Sequence, residues 1–316
     1  MSRVLLTGAS GFVGSAVLGR LQAGTQHSVS AVQRRSTSHA PGSVHLVPTL
    51  DADTDWSAAL TGCDVVIHAA ARVHVMNEHA TDPLAAFREV NVDGTLNFAR
   101  QAFRAGVKRF IFISSVKVLG ESTPLGSPFR ADSVTKPEDA YGLSKAEAER
   151  GLLALAAASE MDVVIIRPPL VYGAGVKGNF AALCRILSKG YPLPLGSIEN
   201  KRSLVGLDNL VDLIVHCIDH PAAGNQIFLA SDNEDISTTD LLRRAGSAMG
   251  KTARLIPVPP SVLELSASLL GRRAVAQRLL GSLQVDISKT LEMLNWTPPV
   301  SLDEGLRRCF KGKGEL

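Results

Sequence analysis

Short apolar runs and helical periodicities alternate along the first two-thirds of the chain. The apolar runs predict strands over Arg3–Thr7, Ser28–Gln33, His45–Val47, Val65–His68, Arg109–Ile113 and Val163–Arg167. Several are unbroken stretches of Val, Ile and Leu, the pattern of strands covered on both faces. Between them, apolar residues recurring every three or four positions predict helices over Gly14–Gln22, Pro83–Ala105 and Ser144–Ser159. Such alternation predicts an α/β fold with a doubly wound parallel sheet.

After Arg167 the pattern changes. Pro168-Pro169 interrupts the chain, and Pro257, Pro259 and Pro260 make a second break. Gln226–Leu229 predicts one more strand that returns to the sheet. The stretch from Ser261 to Leu270 predicts a packed amphipathic helix, with contact to a membrane or a partner as the alternative. No internal repeat is present, and the tail from Lys311 is expected to fray.

Composition narrows the class. The chain has 316 residues, long for one core and short for two, which suggests one large domain with a dependent subdomain. A net charge of +3 gives no reason to expect nucleic acid, although a local basic pocket for phosphate stays open. The cysteines Cys63, Cys184, Cys217 and Cys309 are scattered and form no Cys-x-x-Cys pair, as expected for buried thiols in a reducing compartment. The first residues run straight into a strand with no signal peptide before it, and no apolar run approaches the roughly 18 residues of a membrane span. A cytoplasmic protein is expected.

The glycine-rich segment Thr7-Gly-Ala-Ser-Gly-Phe-Val-Gly14 follows a strand and opens a helix. In that position Gly8 can take a positive φ, Gly11 lets the backbone approach a pyrophosphate, and Gly14 lets helix and sheet pack closely. Ser10, Phe12 and Val13 belong to the same loop, and the helix N-terminus offers free N–H groups to phosphate. The second strand ends Ala31-Val-Gln33-Arg34-Arg35-Ser36, with no carboxylate for a ribose 2′-hydroxyl. Arginine can pair bidentately with a 2′-phosphate, so NADP(H) is favoured, with NAD(H) as the alternative.

Tyr141-Gly-Leu-Ser-Lys145 opens a helix, and the i, i+4 spacing puts Tyr141 and Lys145 on one face. A nearby ammonium is expected to draw the phenol pKa down toward neutrality. Upstream, the strand Phe110-Ile-Phe-Ile delivers Ser114 and Ser115 at its C-terminal end, where ligands of open parallel sheets bind.

Together these segments resemble the extended short-chain dehydrogenase/reductases, in particular the nucleotide-sugar epimerase/dehydratase family with its Rossmann-type sheet. The matching pieces, in the family's order, are the Gly8/Gly11/Gly14 loop, Cys63-Asp-Val-Val-Ile-His-Ala-Ala-Ala71 and Asn91-Val-Asp-Gly-Thr95. The serine strand, Tyr141/Lys145, Arg167-Pro-Pro-Leu-Val-Tyr-Gly173 and Asp286-Ile-Ser-Lys…Leu-Asn-Trp-Thr-Pro298 follow. The resemblance implies that Ser115 is the catalytic serine, Tyr141 the acid/base and Lys145 its partner. Asn91 would support the geometry, Ala69, Ala70 and Ala71 would line the dinucleotide, and Pro168 and Pro169 would lie near the nicotinamide. Thr49 and Leu50 stand where an Asp-hydrophobic pair often touches adenine. Leu170 and Asn209 are further departures from the family pattern. Residues 1–170, with contributions from about 205–232, would form the dinucleotide-binding domain, and residues 171–316 the nucleotide-sugar subdomain.

The segment Ser115-Val116-Lys117-Val118 lacks the Asp-Glu pair that family members use to eliminate water, which argues against a dehydratase. Lys117 is instead a candidate for binding a sugar hydroxyl or keto oxygen. Asn179, Arg202 and Arg278, with Arg273 as a rival, are candidates for the diphosphate. The missing carboxylate at Gln33 favours a reductase that exchanges NADPH. The first expectation is 4-reduction of UDP-2-acetamido-2,6-dideoxy-4-hexulose to UDP-N-acetylquinovosamine in bacterial surface-polysaccharide (O-antigen) synthesis. The Val75-Met76-Asn77-Glu78 loop, Val116-Lys117 and Gly175-Val-Lys-Gly-Asn179 carry that impression. The alternative is a UDP-N-acetylglucosamine or UDP-glucose 4-epimerase with tightly bound NAD. A further alternative is a catalytically silent NADP-binding regulator. The resemblance also implies a homodimer through Pro83–Ala105 and Ser144–Ser159. No metal site is expected: His216 and His220 have helical i, i+4 spacing but no third ligand, and His68, His74 and His79 form no clear set.

Overall fold

The computed structural model describes residues 1–24, 26–34, 43–73, 82–176 and 178–311, with the backbone alone at Asn179 and Ala274. Arg35, the Val75–Glu78 loop with its neighbours His74 and His79, Lys177 and residues 312–316 lie outside the described residues. In chain order the strands are β1 (Arg3–Thr7), β2 (Ser28–Gln33), β3 (Ser43–Leu46), β4 (Val65–His68) and β5 (Arg109–Ile113). They continue with β6 (Asp162–Arg167), β7 (Leu170–Tyr172), β8 (Arg202–Gly206), β9 (Gln226–Leu229) and β10 (Asp235–Ile236). The α-helices are α1 (Phe12–Gln22), α2 (Ser57–Leu60), α3 (Pro83–Arg88), α4 (Thr95–Arg104), α5 (Ala140–Ala157) and α6 (Asn179–Ser188). Further on come α7 (Leu207–Asp219), α8 (Thr238–Ala248), α9 (Pro260–Leu269), α10 (Arg273–Leu280), α11 (Ser288–Leu294) and α12 (Leu302–Phe310).

Seven strands form one sheet in the order β3-β2-β1-β4-β5-β6-β9. Every neighbouring pair is parallel. Both faces are buried, and the two-residue side-chain period sorts the core. Val65, Ile67, Ile111 and Ile113 pack on the face covered by α1 and α7. Val66, Phe110 and Phe112 pack on the face covered by α4 and α5. The chain builds outward from β1 to β3, then returns to β4 on the other side of β1. That reversal opens a crevice at the C-terminal ends of β1 and β4, where open α/β sheets bind ligands. A second sheet, β10-β8-β7, stands beside it. Tyr172, Phe180, Leu204, Leu241 and Leu306 make its own cluster.

Four boundaries differ from the sequence expectation. The edge strand β3 starts earlier than His45, because Ser43 pairs with Ser30, and Pro48 follows Val47. The single helix expected over Pro83–Ala105 is interrupted by a π-helical turn at Glu89–Gly94. The long helix expected from Ser144 starts at Ala140, where Asp139 caps it by accepting from Gly142 N at 2.6 Å. The expected packed helix near Ser261 is α9, and none of its residues is fully buried. Only its inner side, through Leu263, rests on the Leu195–Leu242 cluster.

Among the described residues no disulfide forms, and all four cysteines are buried. Burial pushes the Cys63 and Cys217 thiols up, to about 11 and about 12. Among the described residues, no helix is long and apolar enough to cross a membrane, and no group of three or more His, Cys, Asp or Glu could hold a metal ion. His216 instead meets the carbonyl of Leu294 at 2.9 Å.

Candidate active site

The crevice is lined first by the loop after β1. Gly8 has φ +74°, and a Cβ there would lie 2.6 Å from the backbone of Ala69 and Ala70. A Cβ on Gly14 would overlap the Gly8 carbonyl. Only glycine lets these three backbone segments meet, so the loop after β1 and the Ala69–Ala71 segment after β4 form one cradle. Gly11 N donates to Gly8 O at 2.8 Å, and Gly11 begins α1 with no side-chain cap. The first-turn N–H groups of Phe12, Val13 and Gly14 therefore have no capping side chain, beside an exposed Ser10. Gln33 and Arg34 stand at the end of β2, Arg34 exposed. Thr49 and Leu50 form the neighbouring rim. A Cβ on Gly94 would lie 2.7 Å from the Leu50 carbonyl, so the π turn presses against that rim.

The cradle fits a dinucleotide. Its glycines let the loop close against the Ala69–Ala70 backbone where any side chain would collide, and its uncapped helix N-terminus supplies donors. Deeper in, Ser114 is 3% exposed, and its Oγ has no hydrogen-bond partner among the described residues. A buried hydroxyl without a partner is costly unless a ligand satisfies it.

Ser115 follows in extended conformation, its Oγ accepting from Lys117 N at 3.2 Å. Opposite, the first turn of α5 carries Tyr141, and the next turn carries Lys145. A Cβ on Gly142 would lie 2.7 Å from the Lys117 carbonyl, so glycine is what allows α5 to approach the serine segment. Pro168 and Pro169, both buried, floor the site, and Pro168 O accepts from Val116 N at 2.9 Å. Asn91, inside the π turn, ties the wall together. Its Nδ2 donates to Ser144 Oγ and Arg72 O at 3.0 Å, and its Oδ1 accepts from Arg72 N at 2.8 Å. The π turn inserts one extra residue per turn, which turns Asn91 toward α5.

The electrostatics depart from the sequence expectation. Lys145 is 1% exposed, with its Nζ 4.0 Å above the Phe112 ring. Burial pushes its pKa down to about 7, opposed by the charge of Glu149 one turn on. The Tyr141 phenol is not drawn down. Burial raises it, and the Asp139 carboxylate adds to the rise. Desolvation of the phenolate dominates, and the charge that adds to it is a carboxylate and not an ammonium. Glu149 is held by Arg167 through contacts of 2.7–3.2 Å, both side chains 3% exposed. His68, also fully enclosed, sits between Thr7 Oγ1 at 2.7 Å and Thr95 Oγ1 at 3.0 Å. Burial holds it neutral, with a pKa near 3.

The outer rim corrects one reading. Lys117 is already paired, its Nζ 2.5 Å from Glu121 and 2.6 Å from Asp139, so it is not a spare cation for a sugar oxygen. Burial opposes its charge, but those two carboxylates more than offset this and raise its pKa. Arg273 donates to Ser268 Oγ in the turn after α9, whereas Arg278 lies 3.9 Å from Glu121. Of the two rivals, Arg278 is the one near Glu121. Arg202 is half-buried and donates to Gly281 O at 3.0 Å. Burial lowers its pKa, and Glu121 opposes that. Asn179 begins α6 by its backbone. Asn209 binds Asp232 and Val300, and Leu170 is exposed on β7.

Sequence reasoning missed Glu121, Asp139 and Glu149. Each had a signal: Glu121 is i+4 from Lys117, Glu149 is i+4 from Lys145, and Asp139 is a carboxylate just before a helix.

Comparison with known proteins agrees with this geometry. Residues 4–230 match the model of the NAD dependent epimerase/dehydratase family. A UDP-glucose 4-epimerase of Vibrio cholerae is 50% identical, covering 96% of this chain and 93% of its own. An N-acetyl-α-D-glucosaminyl-diphospho-undecaprenol 4-epimerase of Escherichia coli O157:H7 is 27% identical, covering 98% and 94%. The crystal structure of a Thermotoga maritima UDP-glucose 4-epimerase with UDP-glucose shares the fold, with a TM-score of 0.75, 22% identity and 97% coverage of both chains. The chain belongs to the NAD dependent epimerase/dehydratase family.

Proposed function

We propose that the chain interconverts C4 epimers of a hexose carried on uridine diphosphate, using NAD that stays bound through turnover. The observation that carries this reading is the close approach, allowed by Gly142, of the first turn of α5, which carries Tyr141 with Lys145 one turn on, to the Ser115–Lys117 segment at the end of β5. A nicotinamide dinucleotide there supplies the hydride acceptor and donor. Tyr141 takes the proton of the C4 hydroxyl and returns it, and Ser115 Oγ holds the same oxygen. Lys145 follows one turn on along α5, where an ammonium would offset phenolate charge once dinucleotide and sugar fill the cleft. Arg278 and Arg202 pair with the diphosphate. Asn91 keeps α5 aligned. Residues 1–170 with the β8–β9 region hold the cofactor, and the remainder holds the nucleotide sugar.

The order of the two sequence readings changes here. Reduction stood first, yet both curated relatives named above are 4-epimerases of a sugar on a diphosphate. One observation keeps the reductase as the second reading: β2 ends at Gln33 without a carboxylate, and exposed Arg34 follows. That reading carries with it NADPH and a 4-keto-6-deoxy-N-acetylhexosamine destined for surface polysaccharide. Incubation with UDP-glucose or UDP-N-acetylglucosamine and no added cofactor tests the pair. C4 epimers should appear without net cofactor use. Stoichiometric NADPH oxidation with the 4-keto sugar, and no epimerisation, would replace the first reading by the second.

A further inference from the structure

The helix α9 carries its apolar residues on the wrong side for a folded core. Val262, Leu265 and Leu269 recur at i, i+3 and i+7, so they form one stripe, and Leu270 follows in the turn that ends the helix. Leu265 is 63% exposed, Leu269 81% and Leu270 74%. The opposite side, through Leu263, already rests on the subdomain core, so the stripe is left over after packing is complete. Three neighbouring large apolar side chains this exposed are uncommon on a surface unless they meet a partner.

The flanks identify the partner. The stripe ends in the turn Gly271-Arg272-Arg273, and α9 packs against α10, which carries Arg278. The strap leading into α9 carries Lys251 and Arg254. Between Lys251 and Gly281 there are five cations and one carboxylate, Glu264. Arg272 and Arg273, which directly follow the stripe, are both exposed. The Arg273 guanidinium braces the turn by donating to Ser268 Oγ at 2.8 Å. An apolar stripe bordered by arginines is the composition of a helix that lies in a bilayer interface, its leucines among acyl chains and its cations among anionic headgroups. A second copy of the chain fits poorly. A two-fold contact through this face would set the same cationic patch against itself.

We propose that the α9–α10 hairpin docks on an anionic lipid bilayer. The contact is peripheral, since no helix among the described residues is long and apolar enough to cross a membrane. Because α10 reaches Glu121 through Arg278, docking sets the diphosphate end of the candidate cleft beside the lipid surface. The inference does not depend on which sugar the cleft takes.

Co-sedimentation of the full chain with phosphatidylglycerol/phosphatidylethanolamine vesicles, and with phosphatidylcholine vesicles, tests it. The chain should sediment with the first and not the second, and raising salt should weaken the association. Leu265→Glu and Leu269→Glu should each lower partitioning about tenfold or more. Arg272→Glu should lower it on phosphatidylglycerol vesicles. An unchanged urea midpoint in each variant certifies that the fold is intact. Failure of the wild-type chain to sediment with anionic vesicles would overturn the proposal, as would binding that both leucine variants leave unchanged. A wild-type oligomer that Leu269→Glu dissociates to monomers, with no vesicle binding by either, would assign the stripe to self-association instead.

Discussion

Replacing Lys145 by Met should stabilise the cofactor-free chain by an amount that depends on pH in a defined direction. The amine is enclosed, over Phe112, and its pKa is about 7 against 10.5 for the free side chain. A lysine whose folded pKa is depressed costs stability wherever it must be charged. Below about pH 7 both folded and unfolded forms carry the proton, and the whole penalty is present. Between about pH 7 and 10.5 the unfolded chain holds a proton that the folded chain has released, so stability rises with pH. Each pKa unit is worth about 1.4 kcal/mol, so the full penalty is on the order of 4–5 kcal/mol. The Met side chain fills nearly the same volume and keeps the contact with Phe112, at the loss of a cation–π attraction of roughly 1–2 kcal/mol. A net gain of about 3 kcal/mol is expected at pH 6, shrinking by roughly 2–3 kcal/mol by pH 9. Urea unfolding of both proteins at several pH values measures the difference directly, since titrating groups not coupled to Lys145 cancel between them. A difference that stays constant with pH, or grows as pH rises, would refute the assignment of a depressed lysine. A protein that keeps so unfavourable a residue gains something other than stability from it.

Two further perturbations follow from the same helix. Tyr141→Phe removes the transferable proton and leaves the glycine cradle untouched; turnover should fall by about a hundredfold or more while dinucleotide affinity, read by fluorescence titration, stays within about twofold. Glu149→Gln strands the buried Arg167 guanidinium and should cost about 3–5 kcal/mol in a urea titration, with most of it recovered when Arg167→Met is added, because a buried pair is costly to break and cheap to replace whole.

Much of the fold was legible because its chemistry is local. Gly8 and Gly14 stand where a backbone carbonyl or amide leaves no room for a Cβ, and the sequence can meet that demand with one residue type. The strands β4, β5 and β6 are unbroken apolar runs because both faces of the sheet are covered. The spacing of Tyr141 and Lys145 could put them one turn apart on a helix, and α5 carries both. The π turn at Asn91 was not legible, since one extra residue in a turn hardly disturbs a helical hydrophobic period. The direction of the Tyr141 shift was not legible either: spacing reveals a neighbour, whereas desolvation depends on everything packed around it. For α9 the period revealed an amphipathic helix and could not say which side would meet the protein.

The least legible part of the site is its charge balance, because it joins residues far apart in the chain. Glu121 is close to Lys117 in sequence but meets Arg278 only through the fold. Its carboxylate lies among Lys117, Arg278 and the half-buried Arg202, while Asp139 shares Lys117 and caps α5. Without Glu121 the two guanidiniums and the ammonium would repel one another, and burial would weigh further against Arg202. With it, the three cations are held together by a carboxylate built into the same rim. This is how a chain of net charge +3 can hold a concentrated basic rim: the excess is local, and acidic partners built into the same rim keep it assembled.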